Sequence, residues 1–237
     1  MSFGLTIFTF MAIVVYCQWV AMSVAEEKSS RVMELILGAA RPFELLAGKV
    51  IGVGGLGLLQ LVVVAVAGGV ALLLQDRVAT RLLGSASSIQ LPEGLTPELL
   101  VTFVVFFVLG FALYATLFAA VASLVSRQED VNTLITPLIL VAAAGYMIAI
   151  YSSLGVIALD SPLVIALSYI PFLSPYLMLT RVSVGTVEPI EPVAAALLLA
   201  ATIVGALWVG GRLYSAGVLI YGQKASFRTL VTAFRRA

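Results

Sequence analysis

Residues 99–126 read LLVTFVVFFVLGFALYATLFAAVASLVS, an apolar run without a single charged side chain. A membrane-spanning helix needs about 20 consecutive apolar residues to cross roughly 30 Å of hydrocarbon, so this run is long enough on its own. Six such runs contain no charged residue: residues 1–25, 50–75, 99–126, 131–159, 161–180 and 192–211. With 62% hydrophobic and 11% charged residues, the chain is predicted to be a polytopic helical membrane protein.

The apolar runs have the length and composition of helices. They are rich in Leu, Val and Ala and lack the alternation of apolar and polar residues that marks a membrane β-strand. The longest gap between them is residues 76–98, which are predicted to form an outer loop and are too few to build a soluble domain with its own core. We therefore predict an all-α fold with a single transmembrane domain over residues 1–237. Five full spans are expected near residues 3–25, 50–75, 99–125, 133–152 and 192–213.

The run at residues 161–180 is interrupted by three prolines, Pro162, Pro171 and Pro175. Proline removes a backbone donor and clashes with the preceding helical turn, so an unbroken helix is not expected here. Ser174 and Pro175 suit the N-cap and the first turn of a helix, which predicts a fresh helix start. We predict an extracellular re-entrant hairpin of two half-helices. The alternative is a proline-kinked sixth span, which would place the C-terminus outside.

The distribution of positive charge predicts the orientation in the membrane. Cytoplasmic loops of membrane proteins carry an excess of Lys and Arg. If the five spans alternate, ten of the 13 Lys and Arg residues fall on one side, against Arg77, Arg81 and Arg181 on the other. We therefore expect a cytoplasmic C-terminus and an outer N-terminus in a plasma (inner) membrane. A cleaved signal peptide ending near residues 23–25 is the alternative for the first run, although no basic residue precedes that run.

Two segments outside the spans are amphipathic. Residues 26–48 are predicted to form two short cytoplasmic helices on the membrane surface, before the next span begins. The first is supported by Glu27 and Arg31, four positions apart, and the second by Pro42 at its first turn. Residues 223–237 place apolar side chains at helical spacing among arginines, which predicts an amphipathic cytoplasmic tail on the inner leaflet. A merely solvated tail is the alternative.

The sequence lacks the residues that several kinds of catalysis and ion-coupled transport require. The chain has no His, and no carboxylate lies within the predicted spans. Ser-His catalysis, His-metal sites, an aspartyl dyad and the buried acid of many ion-coupled carriers are therefore missing. Gly48 and Lys49 do not complete a phosphate-binding loop, because both the earlier Gly and the following Ser or Thr are absent. We predict no catalytic, cofactor or metal site on this chain, so a partner must supply the energy for any uphill transport.

Polar side chains interrupt the otherwise apolar spans at scattered positions. They either line a transport pathway or form hydrogen bonds between helices, and the second is the commoner outcome. They include Thr6, Thr9, Gln18, Gln60, Tyr114, Thr136 and Tyr146.

Four segments resemble one family of transport proteins when taken in order. Residues 24–49 read VAEEKSSRVMELILGAARPFELLAGK, and residues 110–130 include Gly110, Tyr114 and the sequence SLVSRQED. Residues 170–181 read IPFLSPYLMLTR, and residues 212–222 read RLYSAGVLIYG. Together they resemble the type-2 ABC exporter permeases, in the sodium-efflux-permease-like branch. The resemblance extends along nearly the whole chain.

The resemblance implies a permease subunit that moves a substrate outward. It implies a second permease subunit, in a homo- or heterodimer. It also implies cytoplasmic ABC ATPase subunits, and the ATP and Mg²⁺ bind to those subunits rather than to this chain. No nucleic acid is implied as a partner, and the substrate stays open. Members of the family carry a coupling helix at the ATPase contact, and the residues at the matching positions here are Glu26, Glu27, Arg31, Met33 and Glu34.

The sequence departs from that branch at its start. Members of the branch usually begin with a cytoplasmic N-terminus, one more span and a large extracellular domain, and this sequence begins after them. It is then a shortened relative, one half of a pair of chains, or a fragment. A non-transporting membrane scaffold or assembly factor, which would have no ATPase partner, is the alternative function.

Overall fold

The structure is a computed structural model that describes residues 2–29, 42–83, 96–125, 127–185 and 187–218. Every regular element within these residues is a helix, which confirms the all-α prediction. The helices are α1 (Ser2–Ser29), α2 (Pro42–Leu83), α3 (Pro97–Ala122), α4 (Val131–Ser153), α5 (Pro162–Ser168), α6 (Ser174–Val184) and α7 (Ile190–Val218), with a 3-10 turn at Gln128–Asp130 before α4.

The long helices have the dimensions of membrane spans. In the described part of the chain, 4 helical stretches are long and apolar enough to cross a membrane: Phe3–Ser29, Pro97–Ala122, Gln128–Ser153 and Ile190–Tyr214. Helix α2 has 42 residues and contains the charge-free run at 50–75. The chain is therefore a multi-pass helical membrane protein, whereas the sides on which its termini lie stay predictions.

Helix α3 is the centre of the bundle. It contacts α1, α2, α4, α6 and α7. Of its apolar stretch, 61% is buried within the protein, against 39% or less for the other three candidate spans. Small side chains such as Ala115 and Ala119 allow neighbouring helices to approach closely, and large ones such as Phe106 and Phe118 fill the space between them. The packing of the other helices is thus organised around α3.

Helix α2 differs from its prediction at both ends. Residues 42–48 do not form a separate surface helix, because α2 runs from Pro42 without a break through Lys49 to Leu83. Pro42 suits the first helical turn, residues 43–47 contain no helix breaker, and Gly48 alone costs only about 1 kcal/mol. Residues 76–83, predicted as part of a loop, continue the same helix.

Helices α5 and α6 form a hairpin over residues 162–184. They have 7 and 11 residues, so neither crosses a bilayer alone. The Ser161 hydroxyl caps α5 by accepting a hydrogen bond from the backbone N–H of Val164 at 3.3 Å. The predicted N-cap at Ser174 is wrong by one residue: Leu173 occupies the cap position, and Ser174 is the first residue of α6. The depth of the hairpin in the membrane stays a prediction.

Three predicted features lie outside the described residues. They are the part of the first surface helix beyond residue 29, the loop at 84–95 and the amphipathic tail at 223–237.

Candidate coupling site

Of the five residues matched to the coupling helix, the structure describes Glu26 and Glu27, which lie on the last turn of α1. We call residues 26–29 of α1 and 42–49 of α2 the α1–α2 end. Glu26 is exposed on the last turn of α1, and Glu27 is half-buried beside it. Lys28 is buried, with 2% of its surface exposed. Arg31, Met33 and Glu34 lie outside the described residues, so their role in coupling stays a prediction.

An ion pair joins the two helices at the α1–α2 end. Glu27 Oε1 lies 2.7 Å from Lys49 Nζ. The same ammonium group donates a hydrogen bond to Ser23 Oγ on α1 at 3.1 Å. The sequence predicted Arg31 as the partner of Glu27. Among the described residues, the partner of Glu27 is Lys49. The pair therefore joins the last turn of α1 to the start of α2.

Lys28 connects the last turn of α1 to the last turn of α3. Its Nζ donates a hydrogen bond of 2.6 Å to the backbone carbonyl of Ser123, the C-cap residue of α3. A cation is favourable at a helix C-terminus, where carbonyl groups lack partners within the helix. In the sequence alone, Lys28 is recognisable only as a positive charge outside the spans. The sequence contains an indication that Lys28 is buried. It lies at position i+7 of a buried helical face whose other members, at i, i+3 and i+4, are Ala21, Val24 and Ala25.

The polar residues within the spans contact neighbouring side chains or backbone. Thr6 and Thr180 share a hydrogen bond of 3.0 Å. Gln18 Nε2 donates a hydrogen bond to Asn132 Oδ1 at 3.1 Å. The Tyr114 hydroxyl donates a hydrogen bond to the carbonyl of Phe172 at 2.8 Å. The Tyr16 hydroxyl donates to Gln60 Oε1. Thr9 and Thr136 bond to carbonyls of their own helices, and Tyr146 stacks on Phe10 with ring centroids 4.4 Å apart. These contacts favour the packing interpretation over a pathway lining.

A second buried charge lies at the hairpin. Arg181 of α6 is 2% exposed, and its guanidinium lies 2.8 Å from Glu191 Oε2 at the start of α7. The same guanidinium donates to Ser168 Oγ of α5 at 2.9 Å. The Tyr169 hydroxyl donates to Glu191 Oε2 at 3.1 Å. This cluster joins α5, α6 and α7. It was not predicted, because in the sequence Arg181 is recognisable only as a charge on the outer side.

Continuous apolar helices around a central α3, with a charged α1–α2 end, define a polytopic membrane component. Residues 1–212 match the family described as ABC-2 family transporter protein, and the chain belongs to that family. It is therefore a membrane component of an ABC-2 family transporter. The assignment to the sodium-efflux-permease-like branch, whose members usually carry a further span and an extracellular domain, stays a prediction.

Two relatives extend over almost all of this chain. The uncharacterized protein YhaP of Bacillus subtilis is 37% identical over 231 residues, which are 96% of this chain and 53% of that protein. An uncharacterized protein of Methanocaldococcus jannaschii is 27% identical over 228 residues, 96% of this chain and 52% of that protein. The chain thus spans about half the length of these curated relatives. No solved structure matches it.

Reversing the charge of Lys49 is expected to weaken the α1–α2 end. Lys49→Glu places a second carboxylate beside Glu27 and should lower the free energy of unfolding by about 1 kcal/mol, because both side chains are partly exposed. Adding Glu27→Lys should restore attraction and recover most of the loss. Heating the purified protein with a thiol-reactive dye measures the effect, since Cys17 is the sole cysteine and is buried.

Glu26→Lys serves as the matched control, because this side chain is exposed on the same turn. Its melting midpoint should stay near that of the unchanged chain. A double reversal that melts no higher than Lys49→Glu alone would show that the Glu27–Lys49 pair does not join the helices.

Proposed function

We propose that this chain is the membrane-spanning permease subunit of an ATP-driven ABC exporter. It moves a substrate outward with energy from separate cytoplasmic ABC ATPase subunits and works beside a second permease subunit. Membership of the ABC-2 family supports the transport role. The observation that carries the coupling role is the Glu27–Lys49 pair, which joins the last turn of α1 to the start of α2.

The mechanism follows from the rigidity of those helices. When ATP closes the partner subunits, they push on residues 26–48. Helix α1 has 28 residues and α2 has 42, so a displacement at their shared end is carried along both helices. Glu26 is exposed on the last turn of α1 and is available to a cytoplasmic partner. The substrate leaves by alternating access or by lateral expulsion.

The orientation belongs to the same proposal. The α1–α2 end, the turn at 127–130 and the C-terminus lie in the cytoplasm, and the N-terminus and the hairpin lie on the outer side of a bacterial plasma membrane. The excess of Lys and Arg at the first set of segments supports this orientation.

Purification of the tagged chain from its native membranes in mild detergent tests the proposal. Mass spectrometry of the purified complex is expected to find a P-loop ATPase in near-stoichiometric amount, together with a second copy of the chain or a second permease. An intact complex without any ATPase would contradict the exporter function and favour the scaffold.

Arg31→Glu is expected to leave the protein inserted in the membrane but uncoupled. The new carboxylate at position 31 would repel Glu27, four positions earlier, and Glu34, three positions later. This repulsion should disturb the segment that the ATPase contacts. ATPase activity stimulated by the permease should fall to the basal activity of the isolated ATPase. The matched control is Arg127→Glu, an exposed arginine in the 127–130 turn, which should keep the stimulation. Normal stimulation in Arg31→Glu would contradict the coupling assignment.

A further inference from the structure

We propose that Lys28 is the positioning residue through which movement of the α1–α2 end reaches the α5–α6 hairpin, with α3 as the rigid connection. The inference rests on the proposed function, since it requires an ATPase that acts on the α1–α2 end. It adds a specific route that runs from that end, through α3, to the hairpin.

The first contact of the route is the bond from Lys28 to Ser123. The ammonium group is buried, the Ser123 residue is fully buried, and the donor and acceptor are 2.6 Å apart. A hydrogen bond from a charged donor is roughly twice as strong as a neutral one. The acceptor is a backbone carbonyl, so a displacement of the last turn of α1 acts directly on the end of α3 rather than on a flexible side chain.

Helix α3 has the properties of a rigid connection. Its 26 residues extend for roughly 39 Å at 1.5 Å per residue. Its only proline, Pro97, lies at the first turn, whereas α4 has Pro137 within its length. Most of its apolar stretch is enclosed by neighbouring helices. A shift at Ser123 is therefore transmitted along α3 with little bending.

The middle of α3 holds the hairpin through two contacts. The Tyr114 hydroxyl donates to the carbonyl of Phe172, in the linker between α5 and α6, at 2.8 Å. Gly110 lies against Pro175 in the first turn of α6, so closely that a Cβ atom there would be 2.8 Å from the proline Cγ. Tyr114 and Ser123 are nine positions apart on one helix. One rigid element thus holds Lys28 at its end and the hairpin at its middle.

A cysteine in the hairpin linker tests the route in the intact complex. Cys17→Ala removes the native thiol, and Ile170→Cys places a reporter in the linker, where the native side chain is 40% exposed. We expect labelling by a membrane-impermeant maleimide at position 170 to differ between the nucleotide-free and the vanadate-trapped complex. Asp160→Cys, before α5, is the control position and should show no such difference.

Lys28→Met should abolish the nucleotide-dependent difference at position 170, and Lys28→Arg, which keeps a charged donor, should restore it. A merely structural role for Lys28 would change expression or melting without removing the difference. Tyr114→Phe provides a second variant for the case in which Lys28→Met does not accumulate, because it breaks the route at the hairpin and should cause the same loss with Lys28 intact.

Two results would overturn the inference. One is a labelling difference that persists in Lys28→Met, or in Tyr114→Phe if Lys28→Met does not accumulate. The other is a complex whose ATPase is stimulated normally but whose labelling at position 170 never depends on nucleotide. ATPase activity measured on the same samples separates this failure from failure of the proposed function, in which no stimulated ATPase accompanies the chain.

Discussion

Glu191→Leu is expected to destabilise the protein by about 3 kcal/mol, because it leaves the buried guanidinium of Arg181 without its carboxylate. Removing one partner of a buried ion pair costs about 3–5 kcal/mol, and we expect the lower value since Glu191 retains 20% exposure. For a chain of this size the melting midpoint should fall by roughly 6–12 °C. Thiol reactivity of Cys17 during heating measures this shift.

Two further variants identify the origin of the loss. Arg181→Met combined with Glu191→Leu removes both charges and should recover most of the stability, because replacing a buried ion pair by apolar side chains is often neutral. Glu188→Leu is the matched control: this exposed residue contacts Glu191 through its backbone N–H, which the substitution keeps. A Glu191→Leu variant that melts like the unchanged chain would contradict a stabilising Arg181–Glu191 pair.

The membrane fold could be predicted because its determinants are local. Long runs without charge require helices in hydrocarbon, where every backbone group must find a partner within its own segment. The break between α5 and α6 also follows from local chemistry, since Pro171 lies between the two helices and Pro175 lies in the first turn of the second. The same local reasoning was wrong at residues 42–48, where the absence of a breaker allowed α2 to continue.

The polar contacts of the site could not be predicted because they join distant parts of the chain. Lys28 and Ser123 are 95 positions apart, and the acceptor is a backbone carbonyl that no side-chain pattern reveals. Glu27 had Arg31 as its expected local partner, but the described structure pairs it with Lys49 on the next helix. Only the arrangement of α1, α2 and α3 decides these pairs, and no periodicity within one helix encodes that arrangement.

Because α3 and the hairpin are in close contact at Gly110, substitution of this residue is expected to cause the second large loss of stability. A Cβ atom at residue 110 would lie 2.8 Å from Pro175 Cγ, 2.9 Å from Pro175 Cβ and 3.1 Å from Ile13 Cδ1. The proline ring cannot rotate away as a flexible side chain would, so the backbone of α6 or α3 must move. Gly110→Val should therefore lower the free energy of unfolding by about 3 kcal/mol, the upper end of the cost of overpacking.

Gly205→Val on α7 is the matched control, because a Cβ atom there meets nothing within 4 Å. Valine and glycine differ by only a few tenths of a kcal/mol in helix propensity, so the control should melt close to the unchanged chain. Gly110→Ala should fall between the two, since the helix gains about 1 kcal/mol from alanine while the contact with Pro175 still loses more. If Gly110→Ala melts above the unchanged chain, α3 and α6 do not pack as closely as the geometry requires.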